Sequence, residues 1–207
     1  MNRTRRSILA IFVLASLLGG SACSVFPEAE SLTIYQLPAP ALEPSSAIPL
    51  PFSLRIGTPQ AGSVLSSPRM IVNPRGNELQ AYKGARWSDP VPALLREHLA
   101  QAFEQRGVLE AVSTDVNTFS ADIHLSTDLR RFQVIYSNSK PTVVIELKAS
   151  LIDPTSRAII ARRSFIVEHA MTSAQIPGVV DGFKLASDEI ASQVINWTAE
   201  QLARRAM

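Results

Sequence analysis

The chain has 207 residues, 46% of them hydrophobic, with 20 basic and 18 acidic side chains and one cysteine. Its arginine pairs (Arg130/Arg131, Arg162/Arg163, Arg204/Arg205) are scattered and read as solvated faces, which argues against a nucleic-acid binder with a basic patch. A single cysteine excludes a disulfide framework, so the globular part depends on an apolar core, for which about 150 residues are enough.

Residues 1–6, MNRTRR, carry Arg3, Arg5 and Arg6, and residues 7–18, SILAIFVLASLL, are apolar. Small residues follow, Gly19 to Ala22, and then the cysteine, Cys23. These are the parts of a secretory signal peptide. The apolar run is shorter than the roughly 20 residues of a spanning helix. Ala22-Cys23 resembles a bacterial lipobox, with Gly20 where an aliphatic residue is usual. The lipobox implies cleavage after residue 22 and a lipid on the Cys23 thiol; an ordinary signal peptide with a chance cysteine is the alternative. Ser24, rather than Asp, after the cysteine favours outer-membrane sorting on that resemblance. Without the three signal arginines the mature chain is near neutral.

Residues 23–51 read as a tether. PAPALEPSSAIPLP (38–51) is proline-rich, which favours extended polyproline-like chain. Within the tether, IYQLPAP (34–40) is an apolar-aromatic island, a first strand or a docking segment. The domain is expected over 52–207. FSLRI (52–56) alternates as a strand, and RMIV (69–72) and ELQAY (78–82) flank the turn NPRGN as a hairpin. In ARWSDPVPALLREHLAQAFEQRG, Ser88 and Asp89 are candidate N-caps, Pro90 fits the first helical position, and Gly107 ends the helix. VLEAV (108–112) is a short strand.

In ADIHLSTDLRRFQVIY, Ile123, Leu125, Thr127 and Leu129 alternate, then Phe132, Val134 and Tyr136 take the other parity, which predicts a bulge. TVVIELKASLID (142–153) and AIIARRSFIVEHA (158–170) complete an antiparallel meander. Phe183, Ala186, Ile190, Val194 and Trp197 stripe a C-terminal helix. The expected fold is a single α+β domain: a mainly antiparallel sheet with two main helices packed on it.

Chemistry is sparse. His98 has no second histidine at zinc-protease spacing, and His124 and His169 stand alone on strands. No GxSxG elbow, GxGxxG or Walker loop appears. The expectation is no catalytic residue, no metal and no cofactor beyond the covalent lipid. The one dense patch is YKGARWSDP (82–90), with Tyr82, Arg86, Trp87 and Asp89. It suits a partner-binding hot spot. The preferred reading is a structural role, Trp87 packing at the start of the helix while Asp89 caps it.

The order IYQLPAP, then RMIVNPRGNELQAYKGARWSDPVPALLREHLAQAFEQRG, then a strand meander and an amphipathic helix resembles the ABC-type transport auxiliary lipoprotein family. Its most specific part is residues 69–107, with the WxxP element at Trp87 to Pro90. The resemblance implies a non-enzymatic outer-membrane lipoprotein on the periplasmic face. Its partners would be an MCE-type protein and an ABC permease/ATPase moving lipid or hydrophobic solute between membranes. Homo-oligomers occur in the family. Two alternatives stay open: a structural or envelope-assembly lipoprotein with another partner, and a periplasmic hydrolase with a non-local site. A hydrolase needs a pocket with convergent titratable groups, and a docking module needs an exposed apolar patch.

Overall fold

The computed structural model describes residues 31–117, 119–137 and 140–206; the expected signal peptide and Cys23 lie outside them. Alternating apolar residues build three long strands, β7 (Ile123–Ser137), β8 (Lys140–Ile152) and β9 (Ile159–Ala170), paired antiparallel as the predicted meander. The ladder between β7 and β8 shifts between Leu129 and Arg131, so Arg130 is the extra residue of the predicted bulge. The shift lets Leu125 and Leu129 before it, and Phe132 and Val134 after it, all reach the core. On β8, Val143, Ile145, Leu147, Ala149 and Leu151 share that face and are fully buried.

The second edge of β7 is divided among three short parallel strands. β2 (Leu50–Ile56) pairs with its first residues, β3 (Gln60–Ala61) with its middle, and β4 (Arg69–Asn73) with its end. β6 (Leu109–Thr114) lies parallel to β2. β5 (Gln80–Trp87) turns back antiparallel on β4, and β1 (Thr33–Tyr35) lies parallel to β5. The result is one nine-stranded open sheet whose long ladders are antiparallel. Helices α1 (Val91–Arg106) and α2 (Ile176–Ala206) pack against each other and the sheet, closing one continuous core in a single α+β domain. The striped residues of α2, Phe183 through Trp197, are buried as their spacing predicts.

Two expectations are corrected. The folded unit starts at Leu32, not near Phe52, because β1 joins the sheet and the proline-rich stretch lies on α1. Helix α1 starts at Val91, one residue later than expected. Pro90 is its N-cap, with φ −54° and ψ 139°, and no side chain caps the helix, so Asp89 does not. Pro92 in the first turn costs nothing there, since that amide has no intrahelical acceptor. Gly107 ends the helix as expected, left-handed at φ 62°, its N–H on the Phe103 carbonyl.

Gly182 sets how close α2 lies to the sheet. A Cβ there would sit 3.1 Å from Val143 Cγ2 and 2.8 Å from the Met171 side chain. Glycine inside a helix costs about 1 kcal/mol relative to alanine, so the close approach is what it provides. Gly182→Val is expected to destabilise the protein by about 1–3 kcal/mol through overpacking, read from urea unfolding; an unchanged midpoint would mean that α2 has room to shift.

Candidate functional site

The structure separates the four residues of the dense patch. Trp87, the last residue of β5, is fully buried. Its ring meets Phe183 edge-on at 5.4 Å and Phe132 at 6.3 Å, and those two phenylalanines stack at 4.5 Å. This trio joins β5, β7 and α2, and Trp87 is a core residue at the start of α1. Its indole N–H has no hydrogen-bond partner among the described residues. Tyr82 is half-buried; burial, and then the neighbouring Tyr136, push its phenol well above the usual range. Arg86 and Asp89 are exposed.

Arg86 belongs to another grouping. The side chains of Tyr35 and Trp87 face the core, so the alternate positions of β1 and β5 face out. Ile34 lies beside Arg86, and Arg86 lies directly opposite Arg69 of β4. Leu32 and Ile34 are 51% and 55% exposed, and both arginines are exposed. Among the described residues neither arginine has an ion-pair partner. Sequence reading singled out Arg86 but missed this face, because strands far apart in the chain assemble it; the unexplained apolar pair Leu32 and Ile34 was the available signal.

The expected tether is also a structured element from residue 36 on. Ser88 N–H donates to the Tyr35 carbonyl at 2.8 Å. The Gln105 amide donates to the Pro40 carbonyl and accepts from Leu42 N–H. Arg106 reaches the Glu43 carbonyl at 3.0 Å, and Ser45 N–H donates to the Arg106 carbonyl at 2.9 Å. The strap thus follows α1 from its start to its end. At mid-helix, buried His98 lies beside Pro38 of the strap. Its Nε2 lies 3.0 Å from Asp188 Oδ1, out of line for a well-aligned hydrogen bond, and Lys184 pairs with the other Asp188 oxygen at 2.7 Å. Burial holds the His98 pKa below its ordinary value, against the opposing pull of Asp188 and Pro38 and with help from Lys184. His98 is a structural joint between strap, α1 and α2.

One cavity, about 570 Å³, is lined by Pro51, Ser53, Asp122, Asp153 and Arg205 among others. Both carboxylates are engaged. Asp122 accepts from the Ser53 N–H and hydroxyl, which lower its pKa, and Asp153 accepts from Ser156 and Thr155 N–H and pairs with Arg205, which brings it to about 2. A general acid or base has its pKa moved toward neutrality, and these move away. A second cavity, about 390 Å³ and more apolar, lies between Ile48, Leu50, Val108 and the Ala199 and Ala203 turn of α2. No group of metal-binding side chains converges among the described residues, and no described helix is long and apolar enough to cross a membrane.

Residues 35–195 match the model of the ABC-type transport auxiliary lipoprotein component family. A crystal structure of a Xanthomonas campestris protein is similar at 30% identity and TM-score 0.77, covering 84% of this chain and 99% of that one. A hypothetical protein of Chlamydia trachomatis shares the fold at 5% identity and TM-score 0.54, over 74% of this chain and 98% of its own. An uncharacterised Bradyrhizobium diazoefficiens protein is 28% identical over 185 residues, 89% of this chain and 48% of that protein, so the chain spans about half the length of the curated relative it matches.

Two measurements check the site. Trp87→Ala is expected to cost about 3–5 kcal/mol, Trp87→Phe less, and Asp89→Ala within about 0.5 kcal/mol of zero by thermal unfolding. A large loss at Asp89 would restore it as a cap. For His98 the folded pKa lies below the unfolded value of about 6.5, so the unfolded chain takes up the proton first as pH falls. The stability from neutral His98 is therefore complete above pH ~7 and lost as pH falls through the folded pKa. His98→Gln should flatten that limb of a Tm-against-pH curve; an unaltered curve would remove His98 as its source.

Proposed function

The chain belongs to the ABC-type transport auxiliary lipoprotein component family, and on that premise we propose that it is an outer-membrane-anchored, non-catalytic docking component of an MCE/ABC-type intermembrane lipid transport system. The family match over residues 35–195 carries the reading. Two features support it. Cys23 stands at a lipobox-like cleavage site and would carry the anchor. The carboxylates of the cavity beside Ser53 and Arg205 are fixed by structural hydrogen bonds rather than poised for proton transfer.

In this role the protein holds a folded domain at the periplasmic face of the outer membrane. There it receives the far end of an assembly whose permease and ATPase sit in the inner membrane. It needs no nucleotide site, and the sequence has no Walker loop. Recognition is by surface, so the energetics rest on a few desolvated contacts.

Cys23→Ser is expected to move the protein from the membrane to the soluble periplasmic fraction and to remove the acyl mass from the intact chain; unchanged fractionation and mass would defeat the anchor. Purification of the native protein in mild detergent, with mass spectrometry of what accompanies it, is expected to recover an MCE-type protein with its permease. Recovery of envelope-assembly factors alone would favour the structural-lipoprotein alternative instead.

A further inference from the structure

Strand β1 and the β4–β5 hairpin place the exposed side chain of Ile34 on the same sheet face as Arg69 and Arg86, and a second exposed aliphatic residue, Leu32, immediately precedes β1. Like charges directly opposite each other on neighbouring strands repel. Arg69 and Arg86 hold that position with no carboxylate partner among the described residues. The pair costs stability unless something anionic lies between them. The chain enters this face at Leu32, nine residues after Cys23. At about 3.4 Å per residue, even a fully extended segment would leave the face about 30 Å from a lipidated cysteine.

We infer that Leu32, Ile34, Arg69 and Arg86 form a membrane-contact surface. The arginines would bind phosphate oxygens of anionic phospholipid headgroups in the leaflet that holds the anchor, and the aliphatics would sit at the boundary below them. Guanidinium groups match phosphate geometry with two parallel hydrogen bonds. A lipid anchor is commonly reinforced by such a second, weaker signal. The location of the surface rests on the Cys23 anchor reading; headgroup binding itself does not.

The test uses the mature chain carrying Cys23→Ser, so that no acyl chain contributes. Flotation with phosphatidylethanolamine vesicles, with and without phosphatidylglycerol, reads binding. The expected result is binding that requires phosphatidylglycerol, weakens with added salt, and falls about thirtyfold in R69Q/R86Q, each arginine near an anionic leaflet contributing about fivefold. L32S/I34S should weaken binding with the salt dependence retained, and both double variants should keep the parent melting temperature. Equal flotation of parent and R69Q/R86Q, or binding indifferent to phosphatidylglycerol, overturns the surface. So does a change of oligomeric state in R69Q/R86Q with flotation unchanged, which would name a second copy as occupant. The intact mass of the wild-type protein tests the anchor separately. An acylated chain whose Cys23→Ser form ignores vesicles keeps the anchor and sinks the surface. An unacylated chain that binds them sinks the anchor and leaves headgroup binding standing.

Discussion

Strand β7 is the constraint on which the other strands depend. One edge pairs with β8 along nearly its whole length, and the other is shared by β2, β3 and β4 in turn. Every remaining strand reaches β7 through those neighbours. Such a strand must show apolar residues to the core at both ends, and its apolar positions change parity between Leu129 and Phe132. The extra residue at Arg130 resets the backbone to match. A one-residue change of register moves a side chain to the opposite face. Without the bulge, Phe132 would face away from Trp87 and Phe183. The aromatic trio that ties the N-terminal hairpin to the C-terminal helix follows from one inserted position.

The strap on α1 shows how a proline-rich segment contributes to a fold without secondary structure. Prolines give up amide donors, so fewer groups need partners, and an extended chain presents its remaining carbonyls and amides sideways. Helix α1 meets them with side chains, Gln105 and Arg106 near its end, and His98 lies beside Pro38 at mid-length. The last carbonyls of a helix lack intrahelical donors, and Ser45 N–H fills one of them at Arg106. Strap and helix end satisfy each other. The same contacts make residues 36–45 of the expected tether part of the folded unit.

Much of this fold was legible because its signals are local. The meander, the hairpin, both helices, the Gly107 stop and the Arg130 bulge each follow from periodicity or turn chemistry within a short window. What stayed hidden depends on partners distant in sequence. Proline-rich composition specifies extended chain but not what it lies against, so the strap read as a tether. Short β1 and β3 have too few residues for a period. Ser88 and Asp89 have the right chemistry for a cap, but the chain enters α1 through extended Pro90, and neither side chain reaches the helix amides. Tyr82, Arg86, Trp87 and Asp89 formed one patch on paper because strand alternation was not applied to them; the sheet sends Trp87 inward and Arg86 outward.

That division bears on orientation. A lipid on one cysteine fixes a point and leaves the domain free to rotate about it. A long tether would leave distance free as well. Here β1 follows Leu32 directly and carries Ile34 on the face of Arg86 and Arg69, while Tyr35 and Trp87 on the same strands face the helix-covered core. With the proposed contact made, the uncovered side of the β1–β5–β4 region rests toward the leaflet and α1 and α2 lie on the opposite side. The strap supports this mechanically, since it joins β1 to β2 along α1 and would hold the edge strand in place under load from an anchor at Cys23. A docking component benefits from that arrangement: a partner spanning the periplasm would meet the helical layer in a fixed pose rather than searching for a tumbling domain.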